Sequence, residues 1–248
     1  MTTPDQIARR PFLTAEWRYL VMLNYEIPRA VLEPLVPAHT VLDLFEGRAL
    51  ASIVGFRFLD TRLLGVPVPF HRHFDEVNLR FYVKRPMPDG SVRRGVVFVR
   101  ELVPRRAIAF TAQLCYNEPY AAVPMHSRVP PRLLPSPGRL FYGWFANAQH
   151  QQVSVTAVGA PQPLVPGSEP EFIAEHYWGY TRQRDGRTVE YQVAHPSWRV
   201  WPGADPSFSA DVRGLYGSAF EAPLSAPPCS MFVAEGSRVT VYRPTRLP

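Results

Sequence analysis

Glu76, Asn78, Arg80, Tyr82 and Lys84 occupy every second position of "HRHFDEVNLRFYVKRP" (71–86), with Val77, Leu79, Phe81 and Val83 between them. Side chains two apart share one face of a strand, so the polar residues form a row. Lining an inner wall, the row would hold the parts of acid–base chemistry. Glu76 would move a proton, Asn78 would donate a hydrogen bond, and Arg80 would anchor an anion. On the wet face of an antiparallel sheet the same row is ordinary, and the pattern alone favours that reading. Lys84 is the only lysine among 27 basic residues. A buried lysine with a lowered pKa can form an imine, but Lys84 stands at the end of the run, beside Arg85 and a proline, where exposure is the norm.

Other groups are weaker candidates. In "VVFVRELV", Arg100 and Glu101 are neighbours and point to opposite faces, so whichever turns inward needs a partner. Arg80 with Glu101, or Glu76 with Arg100, would pair across a hairpin. His71-x-His73 with Asp75 has the spacing of metal ligands on an extended segment, and His126, His176 or His195 would supply a third. Loop histidines without a metal are the favoured reading, so no metal and no cofactor are expected. "EHYWGY" and "HPSW" are rich in aromatics, which suit both a small-molecule pocket and ordinary packing. Glycine-rich phosphate loops, G-x-S-x-G elbows and zincin motifs are absent.

The elements that must position these residues are short and heavily punctuated. Twenty-eight prolines and fifteen glycines argue against a helical bundle. Strands are expected over 17–27, on both sides of a turn at Glu46-Gly47, over 93–103 after the turn "PMPDGSV", and within 141–159 and 188–201. A closing hairpin is expected to turn near Glu235-Gly236. Helices are expected over 28–36, over 105–117 and over 168–181, the last with Ser168 as N-cap and Glu171 completing a capping box. The sum is one α+β domain over 1–248, with an ordered core of about 12–242 dominated by antiparallel strands.

With 248 residues and 46% hydrophobic composition, the chain can bury a sizeable core. No apolar run is long enough to span a membrane, and the amino terminus lacks the features of a secretory leader, so a cytoplasmic protein is expected. Cys115 and Cys229 read as reduced, largely buried thiols. The formal net charge of +6 comes from basic residues dispersed along the chain, without a basic helix or a nucleic-acid motif. A preference for small anions follows, and nucleic acid is not expected as a partner.

The segments "HFDEVNLRFYVKR", "RRGVVFVRELVPRRAIAF", "LCYNEPY", "EHYWGYTRQRDG" and "VEYQVAHPSWRVW" together resemble the uncharacterised YqjF-like family, a domain of unknown function (DUF2071). The resemblance runs from about Phe12 to Tyr242. It implies the fold of acetoacetate decarboxylase, a β-cone or barrel around a cavity with a few peripheral helices. The decarboxylase uses an imine-forming lysine after a proline. The nearest counterpart here is Tyr120 after Pro119, so the imine mechanism does not carry over. The expected function is a lyase-, decarboxylase- or isomerase-type enzyme acting on a carbonyl-containing acid by acid–base catalysis. Glu76, Asn78, Arg80 and Tyr120 would be catalytic, while Arg100, Glu101, Tyr116 and His195 would bind substrate. A ligand-binding protein that uses the same cavity without catalysis is the alternative. A homo-oligomer is among the assemblies such folds form.

Overall fold

Alternating apolar and polar positions become long paired strands in a computed structural model that describes residues 10–67, 72–104, 119–130 and 134–248. The first half of the chain forms β1 (Pro11–Glu26), β2 (Val41–Leu42), β3 (Leu50–Leu63), β4 (Val66–Pro67), β5 (Phe74–Pro86), β6 (Val92–Val103), β7 (Tyr120–Ala122) and β8 (Met125–Arg128). The second half adds β9 (Arg139–Ala146), β10 (Gln149–Ala157), β11 (Gln162–Pro163), β12 (Trp178–Arg182), β13 (Thr188–Ala194), β14 (Arg199–Ser209), β15 (Ser230–Tyr242) and β16 (Thr245–Arg246). Helices are short: α1 (Arg29–Leu32) with a 3-10 turn behind it, α2 (Glu169–Ala174), α3 (Val212–Tyr216) and α4 (Glu221–Ser225).

Among the described residues, β1, β3, β5, β6, β12, β13 and β15 follow one another as hydrogen-bonded neighbours, and a β13–β15 pairing closes them into a ring. Two junctions of this ring are narrow. The parallel β6–β12 contact rests on Trp178 opposite Gly95 and Gly179 opposite Val96. A Cβ on Gly95 would lie 2.6 Å from the Trp178 carbonyl oxygen, and one on Gly179 would lie 2.1 Å from the Tyr191 ring. Gly95 therefore lets β12 approach β6, while at Gly179 the Tyr191 ring of β13 takes the space a side chain would fill.

The expected cone or barrel is not what forms. In a barrel each strand has one neighbour on each edge. Here β15 pairs with β1 on one edge, but its other edge is shared. Phe232, Val233 and Ala234 pair with β14, while Thr240 and Val241 pair with β13. At 13 residues, β15 outruns β13, and the remaining edge accepts a second strand. The sheet therefore branches, and β14 leads on through β10 and β9 to β8.

Branching buries the ring strands on both faces. Leu20 and Met22 pack inside with Phe56, Phe58 and Trp198. Tyr19, Val21 and Leu23 pack on the other face with Tyr142, Trp144, Val153 and Val155 of the branch. Each such side chain contributes about 1.5–3 kcal/mol on burial. This two-sided burial explains why "YLVMLNY" reads as a continuous apolar run.

Two expected elements need correction. The helix expected over 168–181 ends at Ala174, and Trp178–Arg182 is strand, because that segment pairs with β6 and β13. Its cap is present: Ser168 Oγ accepts from the Glu171 amide at 3.3 Å, while the Glu171 carboxylate accepts from the Gly167 amide. The expected closing hairpin is one strand, since β15 stays paired with β1 from Ser230 to Tyr242. The helix expected over 105–117 lies outside the described residues, as does Cys115. Cys229 is exposed, not buried. No helix among the described residues is long and apolar enough to cross a membrane.

Candidate functional site

Strand β5 carries the polar row, and the ring turns its face inward. Glu76 is 3% exposed, Asn78 1%, Arg80 9%, and Glu101 on the neighbouring strand 2%. Burying such groups is costly unless they meet partners or a ligand. The Asn78 amide donates to Glu76 Oε1 at 2.9 Å, and one Arg80 guanidinium nitrogen lies 3.5 Å from the Ile173 carbonyl. Asn78 Oδ1 and Arg80 Nε have no hydrogen-bond partner among the described residues. Tyr82, the next member of the row, is engaged elsewhere. Its hydroxyl is 2.6 Å from Ser52 Oγ, which donates to Asn24.

A β-bulge decides which β6 residues join this wall. Strict alternation would put Val96, Phe98 and Arg100 on one face and Glu101 on the other. Between the pairs Leu79–Arg100 and Arg80–Phe98 the register shifts by one residue, at Val99. Phe98 and Glu101 therefore face the same side, and Glu101 stands opposite Asn78. Arg100 is sent away, and its Nε donates to the Leu215 carbonyl at 3.0 Å. A second irregularity, between Arg18 and Val21 of β1, puts Trp17 and Leu20 on one wall although they are three apart. Tyr19, between them, has a φ of 53°.

The enclosed space is a pocket of about 70 Å³, and every strand of the ring contributes to its lining. Its wall is largely aromatic, with Trp17, Phe56, Phe58, Phe98, Trp178 and Trp198 around the polar row. A buried water needs at least about 10–15 Å³ of such space, so the pocket is sized for several waters or a small acid. Glu76, Asn78, Arg80, Glu101, Tyr120 and His195 all line it. Arg100 is not among the lining residues, and Tyr116 lies outside the described residues. His71 also lies outside them. His73 Nδ1 accepts from the Asp60 amide and Asp75 pairs with Arg57 at 3.0 Å, so these two are not turned toward a common ion.

His195 stacks on Trp198, with ring centroids 4.0 Å apart, and its Nδ1 is 2.9 Å from the Pro196 carbonyl. Burial lowers its pKa, so it is neutral near pH 7. That hydrogen bond places the proton on Nδ1 and makes Nε2 an acceptor.

Sequence reasoning missed the role of His176 and passed over Asp43. His176 lines the pocket, and its Nε2 is 3.3 Å from Asp43 Oδ2. Burial pushes its pKa down to about 4. It is therefore neutral, donates from Nε2, and presents Nδ1, which has no partner among the described residues. Burial raises the Asp43 pKa, but hydrogen bonds from His176 and Arg94 outweigh this and hold it down to about 2. Asp43 also takes Lys84 at 3.5 Å, so the single lysine points at a carboxylate and not into the pocket. Only the loop's position in the fold brings His176 here, and no local motif marks it.

The fold has counterparts among solved structures. The enduracididine biosynthesis enzyme MppR, complexed with pyruvate, superposes with a TM-score of 0.67 over 99% of this chain and 93% of its own, at 15% identity. Acetoacetate decarboxylase from Legionella pneumophila gives 0.64 at 12% identity over 100% and 92%. An acetoacetate decarboxylase-like enzyme from Sphingomonas wittichii RW1 gives 0.64 at 13% identity over 100% and 98%. These likenesses establish a shared fold. No curated protein matches the sequence. A family model matches residues 14–238, and the chain belongs to DUF2071, a family of uncharacterized conserved proteins.

Proposed function

We propose that the pocket takes a small carbonyl-containing organic acid and acts on it by acid–base catalysis beside the carbonyl, without an imine. The observation that carries this reading is the buried row Glu76–Asn78–Arg80, with Asn78 Oδ1 and Arg80 Nε left without partners among the described residues. An unmade hydrogen bond in a buried site costs about 1–3 kcal/mol, and a carboxylate that accepts from Arg80 Nε relieves that cost, while Asn78 Oδ1 is left for a donor such as water. Arg80 receives the substrate carboxylate, for which a guanidinium is suited by shape and charge. Glu76 accepts the proton from the carbon next to the carbonyl, and the electron pair passes to the carbonyl oxygen. The amide of Asn78 and the hydroxyl of Tyr120 donate to the enolate that forms. Neutral His195 is a second proton acceptor.

MppR has been captured with pyruvate, which makes pyruvate a reasonable first probe. In D2O, a base that removes and returns a methyl proton replaces it with deuterium. The loss of the pyruvate methyl signal by proton NMR should run faster with the wild-type protein than in buffer, and Glu76→Gln should return it to the buffer rate. The same measurement extends to acetoacetate and other small 2- and 3-keto acids. Saturable binding with exchange at the buffer rate would favour a binding protein that uses the same pocket without catalysis. Neither binding nor exchange across these acids would overturn both readings.

A further inference from the structure

We propose that His126 and His150 form a surface binding site for a late first-row divalent cation, Cu²⁺, Zn²⁺ or Ni²⁺, separate from the pocket. His126 lies on β8 and His150 on β10, two strands held apart by β9. Their Nε2 atoms are nevertheless 3.1 Å apart. Two imidazole nitrogens bound to one such cation at about 2.0–2.1 Å stand about 2.8–3.0 Å apart at a right angle and about 3.3–3.4 Å apart at a tetrahedral one, so the pair, now close enough to share a proton, needs little movement to chelate. Two nitrogen lone pairs at that distance repel each other unless a proton or a cation lies between them.

The strand between them is built to allow the approach. Gly143 of β9 stands opposite His126, and a Cβ there would lie 2.6 Å from His126 Cε1 and 2.8 Å from Nε2. The imidazole occupies the space that any other residue would fill, which lets it reach across to β10. Phe141 supports both rings, with centroids 5.4 Å from His126 and 6.1 Å from His150, the latter parallel. The rings open onto a groove of about 410 Å³ that also includes Arg128, Arg139 and Gln152. Arg139 is drawn off to Ser154 Oγ at 2.8 Å and the Asp205 carbonyl at 3.3 Å. Arg128 is exposed, where salt screens its repulsion of a cation.

Among the described residues no set of three or more His, Cys, Asp or Glu side chains forms a metal cluster, so water fills the remaining positions. Imidazole donors alone select Cu²⁺, Zn²⁺ and Ni²⁺ over Ca²⁺ and Mg²⁺, and Cu²⁺ should bind most tightly. Because β8 ends the branch of the sheet, a cation shared with β10 would tie that edge strand down.

Titration of the full chain with CuSO4 and with ZnCl2, followed by calorimetry and thermal unfolding, tests the site. The expected result is one cation per chain and a rise in Tm, with both lost in His126→Gln and in His150→Gln. Because the two side chains are at the surface, these variants should fold as the wild type does. The same affinity and Tm shift in either variant, or no binding by the wild type, would overturn the proposal. The result is independent of the pocket, because neither substitution touches the residues that line it.

Discussion

The two ends of β5 carry similar side chains and treat them differently. At the outer end, charges are fully answered. Asp43 meets Arg94 at 2.6 Å, Lys84 at 3.5 Å and His176 at 3.3 Å, while Glu190 meets Arg93 at 2.7 Å and Arg85 at 2.8 Å. Toward its other end, Glu76, Asn78 and Arg80 line the pocket, and Asn78 Oδ1 and Arg80 Nε have no partners among the described residues. A saturated cluster holds the fold together, whereas an unsaturated one is open to a ligand. His176 belongs to both: its Nε2 meets Asp43, and the residue lines the pocket. The difference between the two ends yields four predictions.

The largest effect is expected from Glu76→Gln. It should lower the exchange rate by about 100-fold or more, the range of general acid–base contributions, while changing the folded structure little. Loss of the fold with no specific loss of exchange would erase the distinction between the two ends. Next is Glu190→Gln, which strips the carboxylate from Arg85 and Arg93. Breaking a buried pair costs about 3–5 kcal/mol, readable as a lower urea midpoint. Exchange per folded molecule should be unchanged.

A third prediction concerns acid. His176 has a folded pKa of about 4, below its unfolded value, so protons favour the unfolded chain. Its contribution, on the order of 3 kcal/mol, is complete above about pH 6.5 and is lost as pH falls through about 4. Asp43, held down to about 2, adds a second loss at lower pH, from its unfolded value of about 3.9 downward. Stability measured by denaturant from pH 7 to 4 should fall, and His176→Gln should flatten that slope. A flat wild-type profile would mean that His176 is not held neutral by burial, since burial lowers its pKa and the Asp43 contact raises it.

The smallest effect belongs to Lys84→Met. The side chain is 41% exposed in its pair with Asp43, so the change should be less than about 1 kcal/mol. Exchange should persist, and borohydride with pyruvate should leave no reduced adduct on Lys84 in the wild type. An adduct there would move the chemistry to the saturated end and reverse the comparison.

Much of this was legible in residue types and spacing. The row from Glu76 to Lys84 shares a face because a strand repeats every two residues. The turns at Glu46-Gly47 and before Ser91 follow from glycine at positive φ. The removal of Arg100 from the wall and the inward turn of Glu101 were not legible, because a one-residue bulge at Val99 sets them. That bulge belongs to the pairing of two strands and not to either sequence alone. Nor was Trp178–Arg182 legible as strand, since its partners lie far away in the chain.

By itself, the sequence determined which residues stand side by side: the period of a strand and the chemistry of turns are local. It could not determine which side is inside. When both faces of a strand are buried, apolar patterning no longer separates core from solvent. Only closure of the ring made the polar row an interior wall, and only the branching of β15 put the second face under cover. Closure also brought His176 and His195 to the same pocket as Glu76, from about a hundred or more positions away, a juxtaposition that long-range pairing alone produces.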